Sequence, residues 1–371
     1  MMNNITVTSP LLPPLEELTP YLEDIWSRKW LTNNGYYHQL LEKELCNYLK
    51  VDYISLFSNG TLALITALQS LELKGEVITT PYSFVATSHA ILLNNLKPVF
   101  VDIDPNTFNI DPKKIEEAIT ENTSAILPVH VYGNPCDHDA IQEIADKHGL
   151  KVIYDAAHAF GVTKNGLSIL NWGDLSILSF HATKAYSTIE GGAIICHTKE
   201  MKEKLDRLKN FGYESETEIS MLGSNAKMNE VQAAFGLATL KHIDNAINIR
   251  NNIANLYREK ISAIKGLTYL SHVEGVNFND SYFPIFINEN EFGMSRDQLY
   301  FKLRENNILS RRYFYPLITD FDFYKENPHI IKHDLSISKA VSDNVICLPI
   351  HHSITTEDIN LILKQLEVVI D

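Results

Sequence analysis

Cysteine is scarce in this chain. The four present, Cys46, Cys136, Cys196 and Cys347, stand far apart, with no CxxC pair and no histidine at metal-ligand spacing. This argues against a disulfide framework and against a zinc site, and leaves four thiols expected to be buried and free. Runs of lysine and arginine are also missing, and the formal net charge is −14. Neither a nucleic-acid backbone nor an anionic membrane therefore meets a complementary surface. No apolar stretch approaches the roughly eighteen residues that a membrane helix needs. The opening MMNNITVTSPLLPPLEEL has no basic segment followed by an apolar one, so a cytoplasmic protein is expected. No GxGxxG follows the first strand-like run, which removes the dinucleotide-binding fingerprint, and no internal repeat or low-complexity tract is visible.

What remains is 371 residues that are 45% hydrophobic, enough to bury one large core and a smaller second one. Leu15, Leu18, Leu22 and Ile25, then Leu40, Leu41, Leu45 and Leu49, recur at helical spacing and predict helices over 14–30 and 37–50. Short apolar runs follow at YISLF, EVITT, PVFVDI, SAILPV and KVIYD, each succeeded by a helical stretch such as TLALITALQSL or HDAIQEIADKHG. This alternation predicts an α/β fold whose mainly parallel sheet is flanked by helices. After Asp155 the pattern changes. LSILSF and GGAIICH read as strands separated by HATKAYSTIE, which is not helical and reads as a functional insertion at a strand end. One long helix is expected from Asn229 to Ile264, then YFPIFI, SRDQLYFKLREN, NVICLPI and TEDINLILKQLEVV as strand, helix, strand and helix. The expected division is a large domain over 1–245 and a small C-terminal α+β domain over 246–371.

Ligands of open α/β sheets collect at the carboxyl ends of the parallel strands, and three segments there carry polar residues. In SNGTLAL, Gly60 and Thr61 sit between a strand and a helix start, where free N–H groups and the helix dipole favour a phosphate. A Ser/Asn helix cap with a permissive glycine gives the same local pattern. In KVIYDAAHAFG an apolar strand delivers Asp155 beside two alanines, either as a helix cap or as a carboxylate facing a flat ligand. In LSILSFHATKAYSTIEGG an apolar strand ends in Ser179, Phe180 and His181, and Lys184 follows. Most lysines after strands are solvated. A lysine held away from water in such a turn titrates low enough to act as nucleophile and proton carrier.

Together SFHATK, DAAHAFG and LGSNAKMNEVQAAFG resemble the DegT/DnrJ/EryC1/StrS family of sugar aminotransferases, fold-type I enzymes that use pyridoxal 5'-phosphate (PLP). The resemblance extends from WLTNNG to YFYPL. It implies that Lys184 binds the cofactor aldehyde as an imine and that Asp155 pairs with the pyridine nitrogen, keeping the ring an electron acceptor. Phe84, in PYSFVAT, matches the aromatic residue on the ring face, and an ordinary core Phe is its alternative. Gly60, Thr61 and Ser179 match phosphate contacts, His158 falls near the ring hydroxyl, and His181 lies in the cofactor turn. Asn225 matches a residue given to the neighbouring subunit's phosphate, which implies a homodimer with shared active sites. Lys227, Arg312, Tyr313 and Tyr315 are the candidate substrate contacts, each also readable as an ordinary surface residue.

Two departures from the family pattern stand out: STIEGG replaces TGEGG, so that Ile189 takes a glycine's place, and RRYFYPL replaces HYxPL. Some relatives carry histidine at the lysine position and are dehydratases, a reading that Lys184 removes. The implied reaction moves an amino group from L-glutamate to the keto carbon of a nucleotide sugar. The expected substrate is a dTDP-4-keto-6-deoxyglucose aminated at C4 for surface polysaccharide such as O-antigen, with amination of a 3-keto sugar as the alternative.

Overall fold

The apolar runs from YISLF to GGAIICH become strands of one sheet. The computed structural model describes residues 4–367. Its main sheet runs in the order Ile331–Lys332, Lys97–Phe100, Glu76–Thr79, Thr123–Leu127, Lys151–Asp155, Leu175–Ser179, Gly192–Cys196, Tyr53–Phe57. The first six are mutually parallel. Gly192–Cys196 is antiparallel to both its neighbours. Glu76–Thr79 is buried at every position, the continuous burial of a strand covered on both faces.

Helices α1 (Leu15–Arg28) and α2 (Tyr36–Leu49) match the two predicted from leucine spacing. They cover one sheet face, where Leu41 and Leu45 meet Ile54, Leu56 and Leu178. Helices α3 (Gly60–Ser70) and α4 (Val85–Leu93) cover the other, where Ala63, Leu64, Ala67 and Ile91 meet Val77, Ile153 and Ile177. The start of α2 is held by the buried carboxylate of Glu230, which accepts from the Tyr37 and His38 backbone N–H groups at 2.8 and 2.9 Å, a favourable place for negative charge.

The single helix expected over 229–264 is two helices, Glu230–Leu240 and Ile243–Ile261. No glycine or proline marks the break. Ala233, Ala234 and Leu237 of the first helix and Ile243 and Ala246 of the second pack on the main-sheet core, and farther along the second helix Ile253, Ala254, Tyr257 and Ile261 pack on a second core. Glu17 holds the junction, reaching Lys241 at 3.4 Å and His242 at 3.0 Å.

That second core lies against an antiparallel sheet ordered Leu267–Tyr269, Phe283–Ile287, Val345–Leu348, covered also by Arg296–Glu305 and Thr356–Leu366. The last helix is described to Leu366, and the Val368 and Val369 expected in it lie outside the described residues. The C-terminal part is also tied back to the main sheet. Asp102, 3% exposed, accepts from the N–H groups of Ile103, Ile337 and Ser338 at 2.9, 2.8 and 2.7 Å and from the Ser338 hydroxyl. Cys136, Cys196 and Cys347 are buried free thiols, and Cys46 is half-buried.

Candidate active site

Three chain segments leave the same edge of the main sheet. Lys151–Asp155 delivers Asp155 as its last residue, and Leu175–Ser179 ends at Ser179 and opens into the 180–191 loop. Tyr53–Phe57 runs into α3 through Ser58 and Asn59, whose side-chain oxygen caps the helix by accepting from Leu62 N–H at 2.9 Å. Gly60 opens α3 against Ser179: a Cβ on Gly60 would sit 3.0 Å from the Ser179 Cβ, and one on Gly192 would sit 2.7 Å from the Asn59 carbonyl. Side chains are thus excluded at positions 60 and 192, and the exposed Thr61 follows at the helix start.

Asp155 is 5% exposed. Its Oδ2 accepts from Thr87 Oγ1 at 2.8 Å and its Oδ1 from the Ala157 N–H at 3.2 Å. Burial raises its pKa above the ordinary carboxylate value, against the opposing pull of these two donors and of Lys184. Burial likewise lowers Lys184 to about 8, opposed by Asp155 and Tyr313. The Lys184 ammonium nitrogen donates to the Tyr282 hydroxyl at 3.2 Å. His158, also buried, accepts at Nδ1 from the Tyr132 N–H at 3.1 Å. Burial first, and then the Lys184 charge, hold its pKa well below the usual imidazole range. It is a neutral ring with its proton on Nε2.

The structure therefore brings Asp155, His158 and Lys184 together, and places Gly60 on Ser179. Phe84, 61% exposed, precedes α4 at the same edge. His181 is exposed; its Nδ1 meets Thr183 Oγ1 at 2.8 Å and its Nε2 lies 3.6 Å from Glu190. Asn225 and Lys227 belong to a segment running alongside Phe57 and Ser58. Asn225 is exposed and bridges Asn210, while Lys227 donates to Asn210 at 2.8 Å with its ammonium 4.9 Å from the Phe211 ring centroid. Arg312 pairs with Asp297 at 2.8 Å and lies over the rings of Tyr300 and Tyr315, at 4.4 and 5.0 Å. The Tyr313 carbonyl accepts from both Tyr82 and Tyr132.

Ile189 bears out the first sequence departure in conformational terms. It holds φ +73° in the left-handed region, which a β-branched residue occupies only at a cost.

Four contributors were not singled out from sequence. Thr87 stands three residues after Phe84, at a helix start near a strand end, and that position was a usable signal. Tyr82 is the second residue of the same PYSFVAT stretch. Tyr132, at φ +57°, and Tyr282 carry no local signal, because their partners are distant in the chain.

The residues fit PLP on the evidence of this geometry. A buried carboxylate with two donors and a raised pKa is complementary to a protonated pyridine nitrogen, and an amine near pKa 8 is available as a nucleophile. Among the described residues, no group of three or more His, Cys, Asp or Glu side chains is arranged to hold a metal ion, and no helix is long and apolar enough to cross a membrane.

Residues 15–367 match the DegT/DnrJ/EryC1/StrS aminotransferase family. The chain is 56% identical over 366 residues, 99% of each chain, to a dTDP-4-amino-4,6-dideoxy-D-glucose transaminase of Shigella dysenteriae. It is 53% identical over 363 residues, 98% of each chain, to a protein of the same name from Escherichia coli. The crystal structure of DesI in the presence of its TDP-sugar product superposes with a TM-score of 0.94 at 31% identity, covering 99% of this chain and 93% of that one. The chain belongs to the DegT/DnrJ/EryC1/StrS aminotransferase family.

Proposed function

We propose that this chain is a PLP-dependent aminotransferase that moves the amino group of L-glutamate to C4 of dTDP-4-dehydro-6-deoxy-D-glucose, giving dTDP-4-amino-4,6-dideoxy-D-glucose for surface polysaccharide such as O-antigen. The observation that carries the reaction class is a buried Asp155 near a Lys184 whose amine is lowered by burial to about 8. The sugar and the carbon rest on the two relatives above, similar over nearly their whole length.

Bound PLP supplies the electron sink that stabilises negative charge on the reacting carbon. The chain supplies everything else. Asp155 keeps the ring nitrogen protonated, and Thr87 and the Ala157 N–H fix its two oxygens. His158, held neutral with its proton on Nε2, offers a donor beside the ring hydroxyl. The α3 N-terminus, Thr61 and Ser179 would hold the phosphate, and Phe84 would lie against the ring. The amine of Lys184 removes a proton from the donor carbon and returns one to the sugar carbon, a task suited to a pKa near the working pH.

Lys227, Arg312, Tyr313 and Tyr315 serve the nucleotide sugar in this reading. Arg312 does so as an already paired cation, which makes Lys227 the stronger candidate for the diphosphate. We also read the protein as a cytoplasmic homodimer in which Asn225 reaches the partner's phosphate site, and as large and small domains meeting near residue 245. Exposed Ile219 and Leu222, at 61% and 84%, support an apolar contact beside Asn225, and the handover between two cores along Ile243–Ile261 supports the domain division. The test is incubation with L-glutamate and either the 4-keto or the 3-keto dTDP sugar, with the new amine located by NMR. Amine at C4 is expected, and amine only at C3 overturns the choice of carbon.

A further inference from the structure

The amine of Lys184 is held from two sides. From the main sheet come the turn that carries it and the attraction of the Asp155 charge, without a direct bond. From the small sheet comes Tyr282, the residue before the Phe283–Ile287 strand, whose hydroxyl accepts from Nζ at 3.2 Å. Tyr282 is itself fixed, 8% exposed, with its ring centroid 4.6 Å from His158, 5.8 Å from Tyr313 and 6.0 Å from Tyr132. A phenol locked in that cage keeps its oxygen in place whether or not the amine is there, as preorganisation requires.

We propose that Tyr282 is the positioning residue for the free ε-amine of Lys184: its hydroxyl oxygen receives an Nζ–H and aims the amine during the part of the cycle when that nitrogen is not bonded to the cofactor. The assignment rests on the PLP reading above. It adds that the small domain supplies the direct hydrogen bond to the reactive nitrogen.

The charged and titratable groups facing Nζ are Asp155 from its strand end, Tyr282 from the small sheet, Tyr313 from the 311–317 segment and the neutral His158. Only Tyr282 bonds it directly among the described residues. A hydroxyl oxygen accepting from nitrogen favours the ammonium form over the amine. Removing the hydroxyl therefore lowers the amine's titration midpoint further.

The test uses the apoprotein and the loaded enzyme side by side. Competitive labelling of the apoprotein with acetic anhydride, read at the Lys184 peptide by mass spectrometry across pH, gives the midpoint directly. Tyr282→Phe is expected to lower it by about one unit. In the loaded variant kcat is expected to fall about tenfold, with the KM for the keto sugar little changed. Tyr132→Phe deletes a neighbouring phenol that does not touch Nζ and serves as the packing control, with no midpoint shift expected. A Tyr282→Phe protein that melts like the wild type and keeps the wild-type midpoint overturns the proposal, whatever its kcat. Borohydride reduction of the wild-type holoprotein, with labelling sought at Lys184, tests the PLP reading separately.

Discussion

Asp102 and Asp155 are both carboxylates almost removed from water, at 3% and 5% exposure, yet they are furnished differently. Asp102 accepts three backbone N–H groups and a hydroxyl, joining the main sheet to the start of the Ser336–Asn344 helix. Asp155 accepts one hydroxyl and one long N–H bond from two residues ahead. The first is a finished structural joint, whose charge is distributed over donors of the fold. The second has only these two donors, and burial holds its pKa above the ordinary carboxylate value against their pull. Burial alone does not distinguish these two carboxylates, whereas the number of donors does.

The sharpest way to break the comparison is to neutralise each acid. Asp155→Asn should cost activity by about 10²–10⁴-fold while leaving the apoprotein at least as stable as the wild type. Its folded pKa is raised, so the ionised carboxylate destabilises the fold above the unfolded value, and the melting advantage of the Asn apoprotein at pH 7 should vanish below about pH 4. Asp102→Ala should do the reverse, losing on the order of 3 kcal/mol as buried N–H groups lose their acceptor and keeping near-normal turnover per folded molecule. Urea melts and initial rates check both, and equal behaviour of the two variants would remove the distinction.

Lys184 extends the same contrast to a cation. Below about pH 8 its amine is charged in both folded and unfolded chains, and above its ordinary 10.5 it is neutral in both. Between these values the unfolded chain alone holds the proton, so the apoprotein's stability should rise with pH across that window relative to Lys184→Met. A flat difference from pH 7 to 11 would show that the buried site does not depress this amine.

Two smaller effects sharpen the picture at the rim of the site. Ile189→Gly relieves a left-handed β-branched residue and should stabilise by about 0.5–1 kcal/mol after the entropy of the added glycine is allowed for. Calorimetry reads this directly. Lys227→Ala should raise the KM for the nucleotide sugar several-fold, on the order of one lost exposed charge contact, and leave that for glutamate alone. Equal changes in both would remove Lys227 from the sugar site.

Asp155 and Lys184 were legible in the sequence because each follows an apolar run at a strand end, where an α/β sheet collects its ligands. Their partners were not. Thr87 lies 68 positions from Asp155 and Tyr282 lies 98 from Lys184, and no local periodicity encodes such encounters. The fold was legible in its α/β alternation, and α1 and α2 in their leucine spacing. The interruption at Lys241–His242 was hidden, since no glycine or proline marks it and the Glu17 carboxylate that holds it comes from a distant part of the chain. Arg312 shows the opposite limit: the residue type suggested a free cation, and the fold pairs it with Asp297.

The lone reversed strand, Gly192–Cys196, has a consequence for how the lysine reaches its place. Had the chain continued parallel after Ser179, it would have had to cross back to the opposite end of the sheet before starting the next strand. Because it turns back instead, residues 180–191 form a U-shaped bridge whose two legs are adjacent strands in register. Lys184 thus rides on a bridge whose two ends are fixed at the same end of the sheet by paired strands.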